Sequence, residues 1–109
     1  MNYKNVYISG KITGNENYKA EFAKRATELK RMGFYPINPV KIYERLKIEL
    51  GREPTYDEIM TKDIEELKNC EYINFLDGWE KSEGARKEYS ISVENNIKVL
   101  KIYLLSDKW

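Results

Sequence analysis

A short apolar run, Tyr72-Ile73-Asn74-Phe75-Leu76, stops at Asp77-Gly78-Trp79 and gives way to an amphipathic stretch that starts near Ser82 and ends near Asn95. A run of that length bounded by a turn signal reads as a strand, and the spacing that follows is helical. The chain opens with the same unit. Tyr3 to Ser9 sets Val6 and Ile8 on one face of a strand, Gly10 to Gly14 makes a glycine-bracketed loop, and Tyr18, Phe22, Leu29 and Met32 then recur at helical spacing. Strands separated by helices are joined by crossovers, which makes their sheet mostly parallel and buries both of its faces.

The intervening residues fit that plan. Thr13 with Glu16, or Asn15 alone, is positioned to start the first helix, and Gly33 to end it. Phe34 to Ile37 reads as strand two, and Pro36 requires that it be short or lie at a sheet edge. Asn38-Pro39 is an N-cap followed by a first-turn proline, with the helix running to about Leu50. Gly51 to Pro54 breaks it, and Thr55-Tyr56-Asp57-Glu58 is a capping box opening a helix that carries Ile59, Met60, Ile64 and Leu67. Strand three is expected over 71–76, the last helix over 83–95, strand four over 97–105 and a tail over 106–109. The expected class is therefore α/β: a Rossmann- or flavodoxin-like open, mostly parallel sheet of four to five strands with helices on both faces. At 109 residues the chain is expected to form one domain, 1–109.

Open α/β sheets bind ligands at the carboxyl ends of their strands. Right-handed crossovers bring three loops to that edge: Ser9 to Gly14, Asn38 to Val40, and Asp77 to Ser82. Two acids are notable for their helical position. Asp63 lies four residues after Ile59 and four before Leu67, on the apolar face. Glu88 lies on a face of small residues, Gly84, Ala85 and Ser92. A carboxylate on an inward face needs a partner or a shifted pKa. Spacing leaves plainer readings open. Asp63 reads equally as a cap for a nearby turn, and Glu88, by spacing alone, reads first as an exposed acid paired with Lys81 or Lys87. Ser82 reads as an N-cap. Gly84 in a first helical turn points to a close approach. Trp79 reads as core packing or as a platform for a planar ligand, and Lys11 as a phosphate contact or a solvated cation.

Absences narrow the chemistry. The chain has no histidine, which removes Ser-His-Asp and Cys-His systems and most zinc sites. Neither common glycine-rich phosphate loop occurs. The single Cys70, where a helix enters a strand, reads as a buried structural thiol. Nineteen basic against 18 acidic residues leave no excess for a nucleic-acid polymer, and no apolar run reaches membrane-spanning length. The opening residues have no apolar signal core, so the expected location is the cytoplasm.

The run Val6-Tyr7-Ile8-Ser9-Gly10-Lys11-Ile12-Thr13-Gly14 resembles the first strand and loop of the nucleoside 2-deoxyribosyltransferase superfamily. So do Met60-Thr61-Lys62-Asp63-Ile64-Glu65-Glu66-Leu67 with the following strand, and Ser82-x-Gly84-x-x-x-Glu88-Tyr89. The nearest enzymatic resemblance is to the 2'-deoxynucleoside 5'-monophosphate N-glycosidases; small phage and bacterial proteins of unassigned role share the Asp-Gly-Trp and Gly-Ala-Arg wording. The resemblance spans about residues 5 to 103. It implies Glu88 as the nucleophile at C1' of the sugar, Asp63 as the acid that helps the base depart, and Tyr7 as the residue orienting the glutamate. Ser82 and Gly84 are implied as a 5'-phosphate cradle, with Ser9, Gly10, Lys11, Asp77 and Trp79 as further substrate contacts. Lys11 and Thr13 stand where the glycosidases carry small or arginine residues, which leaves monophosphate against free nucleoside open. The implied activity is hydrolysis or transfer at an N-glycosidic bond, without metal or organic cofactor, on a small-molecule nucleotide or nucleoside. A nucleotide-binding module without turnover is the alternative. By the same resemblance, a homo-oligomer is expected.

Overall fold

The structure is a computed structural model and describes residues 3–102. Its element order is β1 (Asn5–Ser9), α1 (Tyr18–Arg31), β2 (Tyr35–Ile37), α2 (Pro39–Leu50), α3 (Tyr56–Lys68), β3 (Tyr72–Phe75), a 3-10 turn (Trp79–Lys81), α4 (Glu83–Glu94) and β4 (Lys98–Val99). The four strands form one sheet in the order β2-β1-β3-β4, and every neighbouring pair is parallel. β1 is central, with Val6 opposite Pro36 on one side and Tyr72 on the other. The proline sits in a three-residue edge strand, where a missing ladder donor costs least.

Alternation along β1 divides the core into two layers. Val6 and Ile8 pack with Phe22 and Leu29 of α1. Tyr7, between them, packs on the opposite face with Ile42 of α2, Leu67 of α3, Ile73 and Ile97. One helix thus covers one face and the others cover the second. The loop after β1 leads to α1 on the first face, whereas the loop after the adjacent β3 leads to α4 on the second. The two loops part in opposite directions at the carboxyl edge, and that parting opens the crevice in which sheets of this class bind ligands.

Local chemistry fixes the helix ends. Gly33 (φ +89°) closes α1 with Gly33 N donating to the Lys30 carbonyl and Phe34 N to the Leu29 carbonyl, the paired bonds of a Schellman end. The amide of Val40 donates to the Asn38 side chain at 3.0 Å, and Pro39 follows as the first helical residue. Thr55 and Glu58 satisfy each other's backbone donors at the head of α3. Because α3 carries Asp63, Thr55→Ala is expected to lower stability by about 1 kcal/mol in urea unfolding, with the slope of the transition unchanged.

Two expected boundaries differ. α1 begins at Tyr18, later than expected, because Asn15 is spent on the loop: its amide donates to the Lys11 carbonyl and to Glu21, while its oxygen accepts from Asn17 N. β4 is two residues long within the expected 97–105, since Ile97 N is still bonded to the Ser92 carbonyl behind α4. Positions 103–105 of that expected strand and the tail over 106–109 lie outside the described residues.

Candidate functional site

A cavity of about 580 Å³ lies above the carboxyl edge of the sheet. Its floor and walls come from the β1 loop (Gly10 to Thr13), the start of α2 (Pro39, Val40), α3 (Tyr56, Ile59, Met60, Asp63) and the start of α4 (Ser82, Gly84, Ala85, Glu88). All three loops that the topology directs to this edge contribute to it. Asp63 and Glu88, which come from different helices, border the same space.

Glu88 is nearly buried, 5% exposed, on the inward face of α4 with Ala85 and Ser92. Two hydroxyls of that strand reach it. Tyr7 donates to Oε2 at 2.5 Å and Ser9 donates to Oε1 at 2.7 Å. Tyr7 and Ser9 sit two residues apart on one strand and so face the same side, which lets one carboxylate meet both. Lys87, expected by spacing as a partner, instead pairs with Glu83 at 3.3 Å on the outer surface. The reading of Glu88 as an exposed, lysine-paired acid is therefore corrected: its side chain turns inward to the two β1 hydroxyls, on the face where Ala85 and Ser92 are also buried.

Asp63 is 4% exposed, and its Oδ1 is the one buried side-chain oxygen or nitrogen among the described residues that lacks a hydrogen-bond partner. No backbone N–H among the described residues donates to Asp63, so it does not act as the turn cap that its spacing allowed. Burial pushes its carboxyl up to about 8, and the neighbouring charge of Glu88 adds to the rise. Burial likewise pushes Glu88 up to about 7, against the opposing pull of the hydrogen bonds from Tyr7 and Ser9. Tyr7 is held well above its ordinary range by burial and by the two carboxylates, so it stays a donor. Both carboxyls are thus raised toward neutrality, chiefly by burial.

The start of α4 forms one rim. Ser82 accepts from Ala85 N at 3.1 Å as the N-cap, and the first amides of the helix have no partner within the helix. Gly84 adopts ordinary helical backbone. A Cβ there would reach Met60 Sδ at 3.5 Å and the Tyr56 hydroxyl at 3.7 Å, ordinary contact distances. The missing side chain therefore widens the cavity instead of admitting a protein neighbour. Gly10 has a different reason: a Cβ would lie 2.9 Å from Leu76 Cδ1, so the glycine makes room for the residue that follows β3. Lys11, half-buried, and Lys81, exposed, both line the opening.

Not every expected contact reaches the cavity. Trp79 lies off its wall, stacked on Phe75 with ring centroids 4.2 Å apart and beside Tyr89 at 5.5 Å. Of the two roles open to it from sequence, packing is the one it fills here. Asp77 is exposed on the same turn and does not line the cavity, and Ser9 is fully buried behind Glu88. Conversely, Tyr18, Tyr43 and Tyr56 face the space without having stood out in the sequence. They are three of nine tyrosines in the chain, and helical spacing marks Tyr18 only as an apolar position of α1, not as a cavity residue. Cys70 is buried away from the cavity, its thiol pushed up to about 12 by burial. Among the described residues, no group of three or more Cys, Asp or Glu is placed to hold a metal ion, and no helix is long and apolar enough to cross a membrane.

The family model described as a domain of unknown function (DUF4406) matches residues 4–101, and the chain belongs to that family. A comparison with curated proteins finds no match.

Proposed function

We propose that this DUF4406 protein cleaves or exchanges the N-glycosidic bond of a deoxynucleoside or its 5'-monophosphate, with Glu88 as nucleophile and Asp63 as acid. The observation that carries the reading is the pair itself: two buried carboxyls from α3 and α4 bordering one cavity, one held by two hydroxyl donors and the other with an oxygen left unpartnered.

The roles follow from the environments. A carboxylate held by two donors keeps a fixed direction, which suits attack at a single carbon. Loss of a base from C1' builds oxocarbenium-like charge on the sugar, and an anion below it stabilises that charge or bonds to it. The C1'–N bond breaks as the Glu88 oxygen bonds to C1', and the proton on Asp63 passes to the departing base. Water, or a second base, then displaces Glu88 with net retention. The aromatic wall formed by Tyr43 and Tyr56 suits a planar base. The α4 amides and the two lysines at the opening suit an anionic 5' group.

Turnover requires Glu88 ionised and Asp63 protonated. The ratio kcat/KM should therefore rise as pH passes about 7 and fall as it passes about 8, giving a narrow bell. A plateau from pH 5 to 7 would remove this assignment of acid and base.

A second reading has its own support. Both Glu88 oxygens already accept hydrogen bonds, and little of the side chain meets solvent. The same site then holds a nucleotide without breaking it. The deciding experiment incubates the protein with deoxynucleosides and their monophosphates, follows free base by chromatography, and measures binding calorimetrically. Base release supports the enzyme. Binding without product after long incubation supports the binding module, and neither result at millimolar ligand removes both.

A further inference from the structure

We propose that Ser9 is a positioning residue for Glu88, the second half of a two-hydroxyl clamp on β1, and not a contact for the ligand. The inference rests on the reading of Glu88 as the reacting carboxylate. Its geometry is independent of which ligand the cavity takes.

Three observations carry it. Ser9 Oγ lies 2.7 Å from Glu88 Oε1 while Tyr7 takes Oε2, so the carboxylate is gripped at both ends from one strand. Ser9 has no exposed surface and does not line the cavity, so no ligand group reaches its hydroxyl in this arrangement. β1 is the central strand, paired on both sides, and Ser9 itself lies opposite Phe75 of β3. Its backbone position is therefore fixed by the sheet and not by the loop that follows. A single donor would leave the carboxylate free to rotate about the Tyr7 contact. Two donors fix the plane of the group, and with it the lone pairs left for the cavity side.

The clamp also sets the charge on Glu88. A donor hydrogen-bonded to a carboxylate favours the ionised form, and here it works against burial. The ionisable groups facing Glu88 are Tyr7 on β1 and Asp63 on α3. Tyr7 remains a neutral donor, and Asp63 gives up its proton only at higher pH than Glu88. Removing the Ser9 hydroxyl leaves burial less opposed.

The test is the titration of the Glu88 side-chain carboxyl followed by carbon-13 NMR in the ligand-free protein, with base release measured alongside. Ser9→Ala is expected to move the Glu88 midpoint upward by about 1–2 pH units, the worth of one hydrogen bond to a charged group. The ascending limb of the kcat/KM profile should move by the same amount. Ser9→Cys, which keeps the volume and donates weakly, should fall between. Ser92→Ala, which deletes a buried hydroxyl of the same helix that donates to the Tyr89 carbonyl, should leave the Glu88 midpoint where it is. A wild-type midpoint in both Ser9 variants overturns the proposal, as does an equal displacement in Ser92→Ala. The NMR arm decides the role of Ser9 even if no base is released from any substrate. Base release with an unmoved midpoint removes Ser9 and leaves the glycosidic reading standing.

Discussion

Glu88→Gln is expected to lower base release by about 10⁴-fold or more while leaving nucleotide affinity within a few-fold of the parent. Losing a nucleophile removes the covalent step itself, and the remaining rate comes only from binding and orientation. The amide is nearly the same size as the acid. Both clamp hydroxyls can still bond to it, Tyr7 and Ser9 each turning to donate to its oxygen or accept from its nitrogen. The fold should therefore persist, and a lost rate with retained calorimetric binding separates chemistry from structure. A Gln variant that works at the parental rate would take Glu88 out of the reaction. Asp63→Asn should act on the same assay more mildly, by about 10²–10⁴-fold, because it removes a proton donor and leaves the nucleophile in place.

Asp63→Asn is also expected to stabilise the protein at high pH and not at low pH. The sign follows from linkage. Asp63 is raised in the folded chain to about 8 from an ordinary 3.8, so the fold holds a proton that the unfolded chain releases. Its contribution to stability is complete below about pH 4 and is lost as pH climbs through 8. Each pH unit in which only the unfolded chain is ionised costs about 1.4 kcal/mol. Between pH 5 and pH 8 the loss is on the order of 4 kcal/mol, a large share of the stability of a small domain. An asparagine at this position carries no charge, so the variant should lack this slope. Glu88, also raised, leaves a smaller slope of the same sign that ends near pH 7. Urea midpoints of the two proteins should agree below pH 4, begin to separate by pH 5 and lie furthest apart at pH 9, with the variant higher. Equal midpoints at pH 9 would mean that Asp63 is ionised and solvated in the fold. That result would also end its candidacy as an acid at neutral pH.

The elements were legible in the sequence wherever one local rule dominated. The capping box at Thr55, the Asn38-Pro39 start and the glycine after α1 are short-range chemistry, and each of these helix ends appears where its residues place it. The edge position of β2 was legible for the same reason, through Pro36. The first helix start was misread because Asn15 had two outlets, capping or bracing its loop, and nearest-neighbour rules do not rank them.

The site divided along similar lines. Asp63 was visible as an inward acid because helical spacing alone aligns it with Ile59 and Leu67. Glu88 was visible as an acid on a face of small residues, and its role only through the resemblance to a known motif. Its spacing favoured an exposed pair with Lys81 or Lys87, and the choice turned on the two β1 hydroxyls that reach it. Trp79 and Ser9 show the same limit from the other side. A loop tryptophan and a strand serine are each compatible with a ligand, and it is the stacking on Phe75 and the burial behind Glu88 that occupy them.

By itself, then, the sequence determined the order of strands and helices, where most of them start and stop, and the carboxyl edge to which three loops must come. Periodicity, caps and crossover handedness act within a few residues or follow from connectivity. The tertiary structure alone decided that two acids 25 positions apart share a cavity, that hydroxyls from the central strand grip one of them, and that an oxygen of the other is left without a partner. The reason is that burial and hydrogen bonding across the interior depend on the distance between packed layers, which no span of neighbouring residues encodes.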